Sequence, residues 1–273
     1  MKISYVSDLH CEFLDYPNFS KETGGDVLLL CGDITTGNIL RLTRTDAESK
    51  SQKKFFMTKM KALCEKYTHI YYILGNHEHY GSNFSETYIY LQEAFQEMKL
   101  PIVIFDNTYT DFDGWTFVGS TLWTNYGNAD PIFMNCAQNG MNDYRLIGMN
   151  NGPFSPYVSN KATPDFFLEK HKTSINYIDK ITKNKEKVIV FTHMGPSQKH
   201  LNAIHCGNGL DHAYFTNLSE FILDRPQIKY WISGHTHQHV DFNIGDCRML
   251  SNPRGYNGEE SYWNFKGLAH IEV

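Results

Sequence analysis

The 273-residue chain lacks several features that would assign it to a large class of proteins. Its six cysteines form no CxxC pair and follow no regular spacing, which argues against a disulfide framework and predicts reduced thiols. No apolar run approaches the roughly 18 residues of a membrane span. The chain has 25 Lys and Arg against 30 Asp and Glu, so long-range attraction to nucleic acid is not favoured. We therefore expect a cytoplasmic protein with no membrane partner and no nucleic-acid partner.

What the chain does contain is enough apolar material for a large core. Hydrophobic residues make up 41% of the sequence and aromatic residues 14%. The length suits one large domain, or one domain with a sizeable insertion. Two stretches, at about 121–163 and 198–216, are poorly periodic and rich in Asn, Gly or His. We expect a single domain over residues 1–273 with insertions at these two places.

Apolar periodicity predicts an alternation of strands and helices. Early strands and helices alternate, and later strands cluster, which favours a layered α/β protein with mixed sheets. The predicted helices are Asp46–Tyr67, Ser85–Met98, Pro164–Lys183 and Thr216–Leu223. The predicted strands are Lys2–Val6, Asp26–Cys31, Ile70–Leu74, Ile102–Phe105, Thr116–Gly119, Lys187–Thr192, Ile228–Ser233, His239–Ile244, Arg248–Ser251 and Leu268–Val273.

Five short segments place metal-binding side chains directly after predicted strands. They are Asp8-Leu9-His10, Gly32-Asp33, Gly75-Asn76-His77-Glu78, Thr192-His193 and Gly234-His235-Thr236-His237. Residues two apart at a strand end point to the same face, so Asp8 and His10 can bind one cation together, while His235 and His237 can supply one imidazole to each of two cations. Any one segment arises easily by chance as a turn or a cap, but five in this order do not. Together they supply enough ligands for two divalent cations.

The residue types suggest separate roles within this set. The Asp33 carboxylate has two oxygens and can bridge two cations, and the Asn76 amide is a hard, neutral oxygen ligand. His77 is adjacent to Asn76 but points elsewhere, so it is a candidate for contact with substrate. Glu78 either orients the His77 imidazole or has a structural role.

The ordered set of motifs resembles the calcineurin-like metallophosphoesterases. The resemblance implies a four-layered αββα sandwich with a dimetal site at strand ends. One cation would then take Asp8, His10, Asp33 and His237, and the other Asp33, Asn76, His193 and His235. Asp33 and His77 would be the catalytic residues, with His77 binding the phosphate or protonating the leaving oxygen.

One departure from the family pattern narrows the expected substrate. Protein Ser/Thr phosphatases carry an Asp-Arg-Gly soon after Gly-Asp, whereas this chain continues from Asp33 as Ile-Thr-Thr-Gly-Asn. The chain is more similar to small-substrate or phage and bacterial members. We expect hydrolysis of a phosphomonoester or phosphodiester on a small molecule, such as a nucleotide or cyclic nucleotide, by a hydroxide held between the cations.

The identity of the metal is a separate expectation, and Mn²⁺ is favoured among Mn²⁺, Fe, Zn²⁺ and Ni²⁺. A nuclease and a non-catalytic metal-binding scaffold remain as alternatives.

Outside these motifs, a few residues are candidates for substrate contact. Arg254 can bind a phosphate oxygen bidentately, or it is an exposed residue of a Pro-Gly loop. Aromatic and amide residues of the first insertion either stack on a nucleobase or pack the insertion against itself. These are Tyr126, Asn142, Tyr144 and Arg145, and the second insertion offers His205, Cys206, His212 and Tyr214.

Overall fold

The computed structural model describes residues 1–41, 43, 46–149, 160–201 and 206–273. The strands in these residues are β1 Lys2–Val6, β2 Gly25–Cys31, β3 Tyr67–Ile73, β4 Ser82–Asn83, β5 Ile102–Phe105, β6 Thr108–Phe112, β7 Trp115–Ser120, β8 Ile147–Gly148, β9 Val188–Thr192, β10 Ile228–Ser233, β11 Val240–Ile244, β12 Cys247–Ser251 and β13 Ala269–Glu272. The α-helices are α1 Gly37–Leu40, α2 Ala47–Cys64, α3 Phe84–Glu97, α4 Tyr126–Ala129, α5 Pro131–Gly140, α6 Asp143–Leu146, α7 Pro164–Thr182, α8 Asp211–Tyr214, α9 Ser219–Leu223 and α10 Glu260–Asn264.

Two mixed sheets organise these elements. The first has the order β13-β1-β2-β3-β5, and the second has the order β11-β12-β10-β9-β7-β6. Strands β1, β2, β3 and β5 are parallel, and β13 closes that sheet antiparallel to β1. In the second sheet β7, β9, β10 and β12 are parallel, while β6 and β11 are antiparallel edge strands.

Alternation along the buried strands sends side chains into three apolar layers. In β2, Leu28 and Leu30 face the layer that contains Phe56 of α2. Val27 and Leu29 of the same strand face a central layer between the sheets, which also contains Phe191 of β9. Residues of β9, β10 and α7 form the third layer. Helix, sheet, sheet and helix therefore stack in that order, which confirms the predicted four-layered αββα sandwich.

The major helices begin where the sequence predicts. Asp46 caps α2 through a hydrogen bond from the Ser49 N–H, and Thr163 caps α7 through a hydrogen bond from the Phe166 N–H. Strand β6 was not predicted. It is an exposed edge with half its side chains in solvent, so its sequence carries little apolar signal.

The two insertions contain more regular structure than expected. Helix α5 begins with Asp130 as its cap and Pro131 in its first turn, which is a recognisable start signal that the sequence interpretation overlooked. The parallel pair of β4 and β8 joins the first insertion to the chain just after His79. Residues 150–159 and 202–205 of these insertions lie outside the described residues.

No helix in the described part of the chain combines the length and the apolar character needed to cross a bilayer.

Candidate metal centre and cavity

The five predicted segments meet where parallel strands of both sheets end. They follow β1, β2, β3, β9 and β10, whose carboxyl ends lie at the same edge of the sandwich. Glycines allow the close approach. A Cβ on Gly75 would lie 2.2 Å from Asp33 Oδ1, and a Cβ on Gly32 would lie 2.5 Å from His193 Nδ1. Both contacts are too short for any side chain, so these positions require glycine.

Five of the predicted ligands have left-handed backbone conformations. The φ angles are 52° at Asp8, 47° at His10, 53° at Asp33, 70° at His235 and 50° at His237. Residues other than glycine adopt such angles at a cost, and they cluster at functional sites where the surrounding fold holds them. The strain at this edge therefore supports a functional role for these turns.

One group of ligand atoms comes from Asp8, His10 and His237, and these atoms lie within 4.8 Å of one another. The Nε2 atoms of the two histidines are 3.1 Å apart. Each Nδ1 faces a carboxylate, Glu12 at 3.1 Å from His10 and Glu259 at 2.6 Å from His237. A proton on each Nδ1 leaves both Nε2 lone pairs directed at the same point, which is the arrangement that a cation requires.

The second group comes from Asp33, His193 and His235, with Asn76 beside it. His193 Nε2 lies 3.0 Å from Asn76 Oδ1 and 3.4 Å from Asp33 Oδ1, and its Nδ1 donates to the Cys31 carbonyl at 2.9 Å. His235 Nε2 is buried without a hydrogen-bond partner. A buried polar atom with no partner is costly, and a bound cation would satisfy it. The donor sets in both groups therefore fit divalent cations.

Charges in this cluster perturb one another strongly. Burial would raise the pKa of Asp33, but the His193 and His77 charges hold that pKa well below its usual range. Burial would lower the pKa of His193, yet Asp33 raises it to about 9. Burial lowers the pKa of His235 to about 3, so this imidazole is neutral and its lone pair is available.

The Asn76 amide is oriented by two residues of other elements. Its Nδ2 donates to Asp143 Oδ1 at 2.9 Å and to Tyr80 Oη at 3.0 Å, and the Tyr80 hydroxyl also donates to Asp143 at 2.7 Å. These bonds fix the orientation of the amide, because its nitrogen must face Asp143 and Tyr80, and Oδ1 then points toward His193. Asp143 is fully inside the protein and comes from the first insertion, which therefore supports the candidate metal centre directly.

His77 is held at both ring nitrogens. Nδ1 is 2.8 Å from Glu12 Oε1, and Nε2 is 2.9 Å from the Tyr256 hydroxyl. The backbone N–H of His77 donates to Asp33 Oδ1 at 2.8 Å. His77 belongs to neither of these two groups, although His77, Glu12 and His10 form a third set of potential ligand atoms within 4.8 Å of one another.

Glu78 does not orient His77. Its carboxylate accepts the N–H groups of Asp33, Ile34 and Gly75 at 2.9, 2.8 and 2.7 Å and the Tyr72 hydroxyl at 2.5 Å. Burial and the Asp33 charge raise the pKa of Glu78 to about 7. The residue ties the ends of β2 and β3 together, which is the structural role that the sequence left open. Glu12 orients His77 instead.

Arg254 does not make the predicted phosphate contact. Its guanidinium is buried and donates to the Leu9 and Asp15 carbonyls at 3.2 and 2.5 Å, with Asp15 Oδ2 at 2.7 Å. Because these donors are already used, the side chain anchors the loop that carries His10 and Glu12. It does not line the cavity beside the candidate metal centre.

That cavity has a volume of about 800 Å³. The floor of the cavity is formed by Asp33, Asn76, His77, His235 and His237, and its walls include Tyr214, Met141 and Leu201.

The insertion residues that the sequence proposed for substrate contact divide between the cavity and the core. Tyr126 and Tyr144 are buried and share a hydrogen bond of 2.7 Å between hydroxyls, so they pack the first insertion against itself. Asn142 and Tyr214 do reach the cavity, whereas His212 packs on Phe133. His205 lies outside the described residues, and Cys206 is exposed.

Besides Tyr80, sequence interpretation missed four residues that contact the predicted set: Glu12, Asp143, Tyr256 and Glu259. Glu12 lies two residues after His10, a spacing that could have suggested it. The other three are far from any recognised segment, and only the fold brings them near. Tyr256 and Glu259 belong to one loop, in which Glu259 Oε2 accepts the Tyr256 N–H at 2.9 Å.

The four-layered fold and the clustered donors are those of a metal-dependent phosphoester hydrolase. The family model for calcineurin-like phosphoesterases matches residues 1–239, and the chain belongs to this dimetal-dependent family. An uncharacterized protein of Acanthamoeba polyphaga mimivirus is 31% identical over 296 residues, covering 99% of this chain and 96% of the relative.

Solved structures show the same fold. Phosphopantetheinyl hydrolase from Mycobacterium tuberculosis has a TM-score of 0.69 and 14% identity, covering 99% of this chain and 95% of that chain. A dimetal phosphatase from Danio rerio has a TM-score of 0.51 and 11% identity, covering 92% and 86%.

Proposed function

We propose that the protein hydrolyses a phosphoester bond of a small molecule with the help of two divalent cations. The observation that carries this proposal is the pair of donor groups at one edge of the sandwich. Asp8, His10, Asp33 and His237 would hold one cation, and Asp33, Asn76, His193 and His235 the other. When bound, the cations would lower the pKa of water and neutralise charge that develops on the phosphoryl oxygens.

The protein's own residues would orient the substrate and move a proton. Glu12 fixes the His77 ring by accepting from Nδ1, and this leaves Nε2 directed at the cavity, where it now meets the Tyr256 hydroxyl. In this position Nε2 can bind a phosphoryl oxygen or donate a proton to the leaving oxygen. Asp33 would act as the shared ligand, and Asn76 would contact substrate as well as a cation.

Manganese is the cation we favour, because the set mixes oxygen ligands with imidazoles. A cytoplasmic location is part of the proposal and is supported by six thiols that form no disulfide. A small phosphoester is favoured over nucleic acid because the chain has a net charge of −5.

The proposal is tested by metal analysis and turnover in one preparation. The protein is stripped with chelator and reconstituted with Mn²⁺, Fe²⁺, Zn²⁺ or Ni²⁺, and bound metal is counted by mass spectrometry. Activity is then measured on nitrophenyl phosphoesters, cyclic nucleotides, single-stranded DNA and a phosphopantetheinylated carrier protein. The last probe is included because of the activity in the name of the Mycobacterium tuberculosis structure.

We expect about two cations per chain and turnover of at least one small phosphoester. His235→Ala should lose metal and activity together. His69→Gln is the matched control, since His69 stacks on Phe112 near the start of β3 and takes no part in the cluster. Turnover of DNA alone would support the nuclease alternative. Two bound cations without turnover of any probe would support the scaffold alternative.

A further inference from the structure

The cavity walls carry two glutamates, and the only basic side chains among the described lining residues are His77, His235, His237 and His239, at or next to the candidate metal centre. Glu259 and Glu260 line one side, and no Lys or Arg of the described ranges lines any part of it. The sequence of residues 150–159 and 202–205 contains no Lys or Arg either. A phosphate that entered the cavity would therefore meet positive charge only at the candidate metal centre.

Arg254, the arginine that the sequence proposed as a phosphate contact, already has other partners. The Arg254 guanidinium is buried, lies 4.7 Å from the Tyr262 ring centre and binds Asp15 and the Leu9 carbonyl. Its release would leave the Leu9 and Asp15 carbonyls without this donor, and an unpaired polar group inside a protein is costly. Arg254 is therefore not available as a second anchor for a doubly charged phosphate.

The cavity offers neutral polar and apolar contacts beyond the phosphate position. Asn142, Gln238, Ser261 and Asn264 supply neutral donors and acceptors, while Met141 and Leu201 supply apolar surface. A volume of about 800 Å³ lies in the range of pockets that bury a whole small molecule. These walls suit an organic group that is attached to the phosphate and carries no further negative charge.

The negative charge of the substrate distinguishes the classes of phosphoester that this cavity would accept. A phosphomonoester brings two negative charges near neutral pH, and a polyphosphate brings more, whereas a phosphodiester brings one. Glu259 is already paired with His237 Nδ1 at 2.6 Å, so each additional charge would be repelled mainly by Glu260 at the exposed rim, which has no Lys or Arg of the described residues beside it in the cavity lining. Like charges in a partly enclosed cavity repel more strongly than in bulk water.

We infer, on the basis of the proposed function, that the substrate is a phosphodiester of one negative charge whose second ester group is neutral or cationic. Phosphomonoesters, polyphosphates and nucleic-acid strands are then poor substrates. Glu260 and the neutral wall select the substrate, while the candidate metal centre performs hydrolysis on whatever phosphoester reaches it.

Three probes with the same leaving group test this inference. They are p-nitrophenyl phosphate, bis-p-nitrophenyl phosphate and p-nitrophenyl phosphorylcholine, measured on the manganese-loaded full chain at pH 8. We expect kcat/KM for each diester to exceed that for the monoester at least tenfold, with the cationic diester as good as the neutral one or better. Glu260→Lys should raise kcat/KM for the monoester roughly three- to tenfold through KM and lower it for the phosphorylcholine probe.

Two controls make the result specific. Glu260→Gln should give an intermediate shift, because it removes a charge without adding one. Glu93→Lys makes the same charge change on the exposed face of α3 and should leave the three values unchanged.

A monoester hydrolysed as well as either diester would overturn the inference and leave the proposed function standing. The same holds if Glu260→Lys and Glu93→Lys shift the monoester value equally, because the effect would then be one of net charge. Two bound cations with no turnover of any probe would overturn the proposed function itself.

Discussion

His77 lies beside the proposed metal centre and is the residue we propose to contact substrate. Both ring nitrogens are bonded, one to the Glu12 carboxylate and one to the Tyr256 hydroxyl. The carboxylate also faces His10 Nδ1, so a single side chain sets the orientation of a predicted ligand and of the predicted proton donor. Substrate must displace only the Tyr256 hydroxyl to reach His77 Nε2.

Replacing His77 by alanine should lower turnover by about 10²- to 10⁴-fold without lowering metal content. The reason is that the residue lies outside both donor groups of the proposed centre. Steady-state kinetics and metal analysis on the same sample make the comparison. Loss of one equivalent of metal in this variant would refute its role as a substrate-facing residue.

Asp143 acts on the centre through another side chain. Asp143→Ala should weaken metal binding at one of the two proposed positions about 10- to 100-fold. The Asn76 amide loses one of its two acceptors, and the other, Tyr80, loses the carboxylate to which it donates. Isothermal titration calorimetry with the metal measures the affinity of each position. Tyr144→Phe is a neighbouring control that removes only the hydroxyl bonded to Tyr126. Its metal affinities at the two positions should match those of the natural chain. Equal affinities in Asp143→Ala would disprove the orienting role.

At the scale of elements, the ends of the parallel strands determine how closely the donors approach. Gly75→Ala would place a methyl group 2.2 Å from Asp33 Oδ1. Something must shift, and overpacking of this kind costs about 1–3 kcal/mol. We expect a lower melting temperature even in chelator and fewer than two bound cations. An unchanged metal count would mean that the strand ends can separate without loss of the site.

Helix α7 is joined to the chain before β10 by a charge network. Asp179 accepts from Arg225 Nε at 2.9 Å and from Lys183 Nζ at 2.5 Å. Burial would raise the pKa of Asp179, but these donors lower it below its usual value. A lowered folded-state pKa stabilises the fold above the unfolded-state pKa, and this contribution disappears as pH falls through the folded value.

Asp179→Asn should therefore reduce the free energy of unfolding at pH 7. The difference from the natural chain should narrow only below about pH 4, near the ordinary aspartate pKa. Urea unfolding at a series of pH values measures both curves. A difference that stays constant down to pH 3 would show that the network contributes through packing and not through charge.

The sequence predicts the elements best where burial is strongest. Strands β1, β2, β9 and β10 are largely buried and are followed by recognisable metal-ligand segments. Their positions and the candidate ligands after them can therefore be predicted from short stretches of sequence. Strand β6 is an edge strand with little apolar signal, whereas helix α5 was missed although Asp130 and Pro131 mark its start. Asp143, Tyr256 and Glu259 were missed for another reason. Their contacts join residues far apart in the chain, and no local pattern encodes such contacts.

At the scale of the whole molecule, the proposed centre joins the two sheets. Asp8, Asp33 and Asn76 follow strands of one sheet, and His193 and His235 follow strands of the other. Cations bound between them would hold the two halves of the sandwich together. Ligands that bind only the folded state stabilise it in proportion to the logarithm of their concentration.

Saturating manganese should therefore raise the melting temperature of chelator-treated protein. At a free concentration 100 times the dissociation constant, one site contributes about 2.7 kcal/mol. Differential scanning calorimetry over a range of manganese concentrations checks this, with magnesium as a comparison cation of weaker affinity for imidazole. A melting temperature that does not respond to manganese would contradict a cation bound between the sheets.

The left-handed turns at Asp8, His10, Asp33, His235 and His237 carry a consequence for the protein's evolution. Each holds a bulky residue in a backbone shape that glycine would adopt freely. A population selected only for resistance to heat would be expected to relax these turns early, and hydrolysis would disappear while the fold became more robust. Heat resistance and the proposed chemistry would therefore compete at the same five positions.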